Sequence, residues 1–378
     1  MLSKTDYNIL RLIRSKNVGA STFFKLLNFF GSYENAIENI NEFNKKFKNK
    51  NPIVLASKEI IDKEIVGCST VGAKIITYKN SLYPEILKNI YTFPPVLTVI
   101  GNVELFKKHS ISIVGSRNAS SNGRAFAKKI AEELGEAGYV ITSGFASGID
   151  TTSHWGALNT GTIAVLGGGV DNIYPKGNED LYYEIKNKGL IISENPFNSA
   201  PKAENFPSRN RIVSGLSDGV VVIEASSRSG TLHTARQAVE QGRELMVAPG
   251  NPYDYRCEGS NKLIKDGANP ITNTEDILYL LENFSIKKNS DIFLNDKENY
   301  YHDKEEENNF NQNDNELNDD DENLPLNDKI ISRLNHTPIS IEDFSLDLKI
   351  PINVLNSKLI ELEIEGKLVV ENGSVYIK

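Results

Sequence analysis

One stretch of the chain, Ile111–Asp150, constrains the fold more than any other. It begins with an apolar run that breaks at Gly115, Ser116 and Arg117, and a helical pattern follows. A second apolar run then breaks at another glycine-containing turn, Ser143–Gly148. This order predicts a βαβ unit of a parallel sheet: a strand, a glycine turn, a helix, and a second strand that ends in its own turn.

The two glycine turns are the first candidate binding elements. Because both turns follow strands, we expect them at the carboxyl edge of the sheet, where open α/β sheets bind ligands. The backbone amides of both turns, one with Gly115, Ser116 and the Arg117 side chain and the other with Ser143, Gly144 and Gly148, predict a cradle for phosphate.

The central part of the chain repeats the same alternation. Helical patterns separate further apolar runs, which predict a doubly wound α/β domain with a parallel sheet of at least five strands. These runs are Ile163–Leu166, Leu190–Ile192, Val220–Ile223 and Leu245–Val247. The residues Ile75–Gly101, which contain Pro84, Pro94 and Pro95, are interpreted as an extended connector that precedes the sheet.

Three signatures of common catalytic sites are absent from the sequence. It contains no P-loop, no G-x-G-x-x-G after the first strand and no H-E-x-x-H. His154 lies in an apolar helical setting and is interpreted as a structural histidine rather than a base. Asp150 is interpreted as the N-cap of the helix that starts near Thr151, with a general-base role as the weaker alternative.

The stretch Lys202–Arg211 suggests a nucleic-acid contact. Lys202, Arg209 and Arg211 supply positive charge beside the aromatic ring of Phe206, a combination that suits phosphates and a stacked base of a single strand. The alternative is structural: Phe206 packs in the core, and the arginines cap the sheet edge through carbonyls and through Glu194 or Glu224. The residues alone leave both interpretations open.

A third stretch, Ser226–Arg243, allows a different function. Ser229, Gly230 and Thr231 form a helix start that could also bind phosphate. This start superficially resembles that of phosphoribohydrolases, which act on nucleotides. Those enzymes have a glutamate just after the threonine, whereas Leu232-His233-Thr234 follows here. This departure removes the acid that such chemistry needs. A nucleotide-handling enzyme on a related Rossmann fold is kept as the alternative function.

Composition divides the whole chain into three predicted domains and one linker. Residues 1–70 are helical, and Gly19 between two helical patterns suggests a SAM-like or helix-hairpin-helix unit; a plain helical hairpin is favoured because a second glycine is missing. Residues 71–284 form the Rossmann-like domain. Residues 285–324, with four Lys and thirteen Asp or Glu, predict an acidic disordered linker that accounts for the net charge of −8.

The final segment, residues 325–378, predicts a winged helix of three helices and a two-stranded wing. Its expected recognition helix, 353–365, carries Glu361, Glu363 and Glu365 against Lys358 alone. A helix that reads a major groove should be basic, so we expect this segment to contact protein.

Together, these motifs resemble the DprA/Smf family of DNA-processing proteins. The resemblance covers roughly residues 75 to 280. The matching motifs include IVGSR (113–117), SGFASGID (143–150), HWGAL (154–158), TIAVLGGG (162–169), FPSRNRIVSGLS (206–217) and SGTLHTARQAVEQGR (229–243). Tyr83-Pro84, Pro94-Pro95, Tyr174-Pro175, Ser193-Glu194 and VAPG (247–250) complete the set.

The resemblance implies an extended Rossmann domain flanked by a SAM-like N-terminal domain and a C-terminal winged helix. It also implies a cytoplasmic homodimer that binds and protects single-stranded DNA and loads the RecA recombinase onto it during natural transformation or recombination. Neither catalysis nor a cofactor is implied. Carried over residue by residue, the DNA site comprises Gly115, Ser116, Arg117, Ser143, Gly144, Gly148, Lys202, Phe206, Arg209 and Arg211.

No stretch of the sequence has the length and apolarity of a membrane-spanning helix, and the N-terminus does not resemble a signal peptide. Cys68 and Cys257 are far apart and have no metal-ligand spacing. These features lead us to expect a cytoplasmic protein without a metal.

Overall fold

The computed structural model describes residues 2–47 and 51–294. Towards the C-terminus it describes residues 326–334, 339–348, 350, 355, 358–359, 361–363, 365–371 and 374–377. The predicted linker begins inside the last helix of the central domain, and its residues from 295 onward lie outside the described part of the chain.

Five helices are present in the described residues of the N-terminal part, 2–47 and 51–70. They are α1 (Lys4–Ile13), α2 (Ala20–Phe30), α3 (Tyr33–Glu38), α4 (Ile40–Lys46) and α5 (Lys58–Thr70). Serine caps begin three of them: the Oγ atoms of Ser3, Ser32 and Ser57 accept from the amides of Asp6 at 3.1 Å, Asn35 at 3.1 Å and Ile60 at 3.4 Å, respectively. The apolar faces of these helices bury Phe23 and Ile61, which gives the N-terminal part a packed core.

The central domain is built on a nine-stranded sheet. Its strands are β1 (Lys74–Thr77), β2 (Val96–Gly101), β3 (Ser110–Gly115), β4 (Val140–Ser143), β5 (Thr162–Val165), β6 (Leu190–Ser193), β7 (Gly219–Ile223), β8 (Glu244–Val247) and β9 (Asn269–Pro270). The order across the sheet is β1-β2-β6-β5-β4-β3-β7-β8-β9.

Helices connect the parallel strands. They are α6 (Ser121–Glu136), α7 (Ile149–Gly156), α8 (Glu179–Lys188), α9 (Asn205–Gly215), α10 (Thr231–Glu240) and α11 (Glu258–Lys265), and α12 (Thr274–Leu294) follows the last strand. From β3 the chain moves outward to β6 and then returns to the other side of β3 with β7, β8 and β9. This doubly wound order confirms the predicted parallel α/β core and places its topological switch point between β3 and β7.

The segment 75–101 is not a connector, as the sequence analysis interpreted it. Strand β1 pairs antiparallel with β2, and β2 pairs antiparallel with β6, so both strands extend the sheet at one edge. The prolines that suggested a connector lie in the loop between these two strands and leave their ladder intact. The sheet is therefore mixed rather than purely parallel.

A buried ion pair fixes the N-terminal helices against the sheet. Arg14 Nη2 lies 2.9 Å from Glu64 Oε1, and Arg14 Nη1 donates to the carbonyl oxygen of Glu194 at 2.8 Å. The ring of Phe197 packs against Gly67, where a Cβ atom would lie 2.7 Å from it. Because Glu194 and Phe197 follow β6, the N-terminal helices adjoin the carboxyl edge of the sheet.

The C-terminal part has its own apolar core. Its described residues form α13 (Leu326–Arg333), α14 (Ile341–Leu348) and three short strands, β10 (Ile339–Ser340), β11 (Val369–Glu371) and β12 (Ser374–Tyr376). The strand order is β10-β12-β11, and Phe344 and Leu362 are fully buried. The winged helix stays a prediction, because several residues of its expected recognition helix lie outside the described part of the chain. In the described residues, no helix is long and apolar enough to cross a membrane.

Candidate nucleic-acid interface

The two glycine turns of the sequence analysis meet at the carboxyl edge, after β3 and β4. The Ile149 amide donates to the carbonyl oxygen of Ser116 at 3.2 Å. Gly148 has a φ of +78°, and a Cβ atom there would overlap the carbonyl oxygens of Ser116 and Arg117. A Cβ atom at Gly115 would overlap the Ile223 carbonyl oxygen. The glycines at 115 and 148 thus allow the turns to pack this closely.

Two amides of the β4 turn are bound inside the protein, so these donors of the predicted phosphate cradle are already occupied. Asp150 Oδ2 accepts from the Gly144 amide at 3.1 Å and from the Ala146 amide at 3.2 Å. Ser143 Oγ donates to the Ile113 carbonyl oxygen at 2.6 Å. Asp150 therefore takes up two of the backbone donors that were expected to bind a phosphate.

Asp150 does not have the predicted N-cap position. Gly148 is the N-cap of α7, and Asp150 lies in the first turn with its carboxylate directed back to the preceding loop. Burial raises the pKa of this carboxyl group, while the charge of Arg209 and the hydrogen bond from the Ala146 amide act in the opposite direction. Asp150 is thus a loop-organising residue.

Arg209 is buried beneath the surface, with 5% of the residue exposed. Its Nη1 donates to the carbonyl oxygens of Gly144 and, at 2.6 Å, of Val165. Burial lowers the pKa of Arg209 to about 10, so the guanidinium stays charged at neutral pH. These contacts are those of the structural alternative in the sequence analysis, because Arg209 joins the ends of β4 and β5.

The other two cations of the stretch differ from Arg209. Arg211 Nη2 lies 2.5 Å from Glu194 Oε2, and both side chains are mostly buried. Its charge is therefore compensated within the protein. The Lys202 side chain is 68% exposed and lies 3.7 Å from Glu204 Oε1, which is also exposed. Of the three cations, only Lys202 presents its charge to solvent.

An aromatic pair and an arginine are displayed at the same edge. The rings of Phe206 and Tyr174 have centroids 5.7 Å apart and planes inclined by 44°. Tyr174 is 50% exposed, Phe206 is partly exposed, and the guanidinium carbon of the exposed Arg117 lies 5.9 Å from the Phe206 centroid. We call Arg117, Tyr174 and Phe206 the rim.

The rim surrounds a small pocket of ≈ 60 Å³. Gly144 and Arg209 lie below it, and with Asp150 we call them the floor. The remaining lining residues are Phe145, Ala146, Ser147, Leu166, Gly167, Gly168, Asn172, Pro175 and Pro201. A Cβ atom at Gly167 would lie 3.0 Å from the Phe206 ring, so the glycine-rich turn after β5 allows that ring to lie close to the sheet.

Tyr174 is the binding candidate that the sequence analysis missed. The Tyr174-Pro175 pair was noted only as a family motif, since a single tyrosine in a loop has no periodic pattern to mark it. Its place beside Phe206 depends on contacts across 32 positions of the chain and is visible only in the fold.

His154 and Thr231 are engaged in the interior, which weakens the enzyme alternative. His154 Nδ1 lies 2.7 Å from Thr162 Oγ1, and burial lowers the pKa of His154 to about 3, with a smaller contribution from Arg209. The histidine is therefore neutral, as expected for a structural role. Thr231 Oγ1 donates to the Gly115 carbonyl oxygen at 3.0 Å. Across the described residues there is no group of three metal-binding side chains.

Comparison with protein families gives two matches. Residues 74–282 match the model of DNA recombination-mediator protein A, and residues 3–66 match the DprA-like N-terminal HHH domain. The chain is 41% identical over 209 residues to DNA processing protein DprA of Bacillus subtilis, covering 54% of this chain and 70% of that protein. It is 42% identical over 198 residues to DprA of Streptococcus pneumoniae, covering 52% and 70%.

Solved structures agree with these matches. The X-ray structure of DprA from Streptococcus pneumoniae superposes with a TM-score of 0.62 at 31% identity, covering 74% of this chain and 98% of that one. DprA from Helicobacter pylori, studied for its single-stranded DNA binding mode, gives a TM-score of 0.50 at 30% identity and covers 58% and 97%. The chain belongs to the DNA recombination-mediator protein A family, DprA/Smf.

Proposed function

We propose that this protein binds single-stranded DNA at the rim. The observation that carries the proposal is the partly exposed aromatic pair, Tyr174 and Phe206, beside the guanidinium of Arg117. Proteins that bind single strands combine aromatic platforms for bases with cations for the backbone. The single-stranded DNA binding mode described for the Helicobacter pylori relative supports the same activity here.

The proposal assigns different tasks to the residues of the predicted site. Arg117 contacts a phosphate, and Phe206 and Tyr174 stack on bases. Lys202 adds positive charge at the approach. Ser116 lies next to Arg117 in the same turn and is partly exposed, so it is the nearest hydroxyl for a second phosphate contact.

The buried members of the predicted site shape the pocket. Gly115 and Gly148 allow the turns to approach, whereas Ser143, Gly144 and Arg209 hold the β4 turn in place. Arg211 anchors α9 to Glu194. Their contribution to DNA binding is indirect, through the position of the rim.

We further propose that the protein acts as a homodimer in the cytoplasm, protects single-stranded DNA and loads RecA onto it in transformation or recombination, without catalytic turnover. Its membership in a family of recombination mediators supports this role. In the same proposal, residues 1–70, 71–284 and 325–378 are separate domains joined in part by an acidic linker, 285–324. The exposed Glu361 and Glu363 favour protein rather than DNA as the partner of the C-terminal domain.

Fluorescence-anisotropy titration of an oligo-dT strand and of a duplex of equal length, over a salt series, tests the DNA proposal. We expect tight, salt-dependent binding that prefers the single strand. When rim variants are titrated in the same way, Arg236→Ala serves as their control, since Arg236 is an exposed arginine on α10 that does not line the pocket. Equal, weak binding to both DNAs would refute the proposal.

A further inference from the structure

A carboxylate occupies the switch point of the sheet. Glu224 follows β7 and is 8% exposed. Its Oε2 accepts from the Ser120 amide at 2.8 Å, and its Oε1 accepts a short hydrogen bond from Ser120 Oγ. Ser120 is the N-cap of α6, the helix that follows the central strand β3. The carboxylate thus lies at the N-terminus of the first helix of the doubly wound fold.

The local backbone is adapted to hold the carboxylate there. Glu224 has a φ of +53°, a left-handed conformation that is rare and costly for a residue with a side chain. Gly123 lies in the first turn of α6, and a Cβ atom there would be 2.6 Å from the Glu224 carboxyl carbon. Two unusual features, a strained glutamate and a glycine near the start of a helix, therefore serve one contact.

This position is where related sheets accept a phosphate. In doubly wound folds, ligands bind at the switch point, and the N-terminus of the first helix stabilises the negative charge of a nucleotide phosphate. Here the donors of that position, the amide and hydroxyl of Ser120, bind the Glu224 carboxylate instead. A phosphate would have to displace a buried negative charge or lie beside it, and both are unfavourable.

We propose that Glu224 is a specificity-determining residue that excludes inorganic phosphate and free nucleoside phosphates from the switch point. The inference rests on the proposed DNA binding and refines it: phosphates of a strand are bound only at the rim, over β3, β4 and β5, and the fold does not bind mononucleotides.

The test measures phosphate binding after the carboxylate is removed. Glu224→Gly accepts the left-handed backbone and eliminates the charge, and Glu224→Asn keeps a side chain that tolerates this conformation. Asn198→Gly is the matched control, because Asn198 is another left-handed residue at the carboxyl edge, with a φ of +63°, and does not contact Ser120. Binding of inorganic phosphate and of AMP to each full-length protein is followed by isothermal titration calorimetry.

We expect no measurable binding of either probe to the wild type or to Asn198→Gly. Both Glu224 variants should bind phosphate at least about tenfold more tightly than the wild type, since a like charge has left the site. Failure of both folded variants to gain phosphate binding would overturn the proposal. So would AMP binding to the wild type that excess oligo-dT does not displace, a result that needs no variant to fold.

The oligo-dT titration separates this proposal from the proposed function. If the wild type binds oligo-dT and the Glu224 variants bind no phosphate, only the role of Glu224 is wrong. If the wild type fails to bind oligo-dT while the Glu224 variants gain phosphate, the DNA proposal is wrong and the closed switch point stands.

Discussion

The rim and the floor of the pocket contain the same type of residue in opposite environments. Arg117 and Arg209 both place the guanidinium carbon 5.9 Å from the Phe206 centroid. Arg117 is exposed, whereas Arg209 is buried and donates to main-chain carbonyls. An arginine near an aromatic ring therefore does not indicate a DNA contact by itself, because its burial and its hydrogen bonds decide its role.

The floor stabilises the arrangement that displays the rim. Arg209 binds the carbonyl of Gly144, and Asp150 binds the amide of the same residue. The two side chains approach Gly144 from both sides: a Cβ atom there would be 2.6 Å from Arg209 Nη1 and 2.8 Å from Asp150 Oδ2. Arg209 and Asp150 also stabilise each other electrostatically, so loss of either charge would leave the other buried with less compensation.

The largest expected effect is on the floor. Arg209→Ala should lower the free energy of unfolding by about 3–5 kcal/mol, as is typical when one partner of a buried charge pair is removed. Chemical denaturation measures this loss. The exposed Arg236→Ala should change it by less than about 0.5 kcal/mol. A fully stable Arg209→Ala variant that no longer binds DNA would make Arg209 a direct ligand and break the distinction between rim and floor.

On the rim, Phe206→Ala should reduce affinity rather than stability. The loss of one stacking platform should weaken oligo-dT binding by about 1–3 kcal/mol, measured by anisotropy. Tyr91→Ala is the control, because Tyr91 is 94% exposed in the loop between β1 and β2 and does not line the pocket. Equal loss of binding in both variants would show that the ring at 206 has no special role.

His154, next to the floor, gives a pH-dependent prediction. Its folded pKa is about 3 against an ordinary value of 6.5, so the unfolded chain binds the proton more readily and stability decreases as the pH falls from 6.5 towards 3. Thr162 Oγ1 donates to the Ile141 carbonyl oxygen, so His154 donates through Nδ1 and protonation would occur at the buried Nε2.

We expect this histidine to contribute a loss of roughly 1.4 kcal/mol per pH unit within that range. Denaturation at pH 7 and pH 5 measures the dependence. His154→Gln should have lower stability at pH 7 and a smaller change between the two pH values. An unchanged pH dependence in the variant would assign the effect to other groups.

The smallest effect is expected for Arg117→Ala. The fold should be unaffected, and the slope of log affinity against log salt should become less steep by about 0.7, the value for one phosphate contact to a single strand. Arg117→Lys should retain the slope because it keeps the charge. An Arg117→Ala variant with the wild-type slope would remove Arg117 from the interface.

Much of the fold was predictable from the sequence, because apolar runs that end in glycine turns have a strong local signal. The positions of β3 to β8 and the contact between the two glycine turns follow from it. Strands β1 and β2 were not recognised, since the prolines between them dominated the local pattern.

The site was less predictable, because burial depends on contacts between distant parts of the chain. Arg209 and Arg211 belong to the same stretch and have one residue between them. Arg209 nevertheless binds carbonyls at the floor, whereas Arg211 pairs with Glu194. Likewise, the sequence pattern does not show that Asp150 fills the β4 turn or that Tyr174 reaches Phe206. A carboxylate that binds inside the protein, or an aromatic pair formed by residues far apart in the chain, can be recognised only in the folded structure.

Photochemical cross-linking of an iodouracil-substituted oligonucleotide, followed by mass spectrometry of the peptides, tests the central claim most directly. If the rim binds single-stranded DNA, the cross-linked peptides should contain Phe206 or Tyr174, and the yield should fall in Arg117→Ala. Cross-links confined to the N-terminal helices or to the C-terminal part, with the rim peptides unmodified, would contradict it.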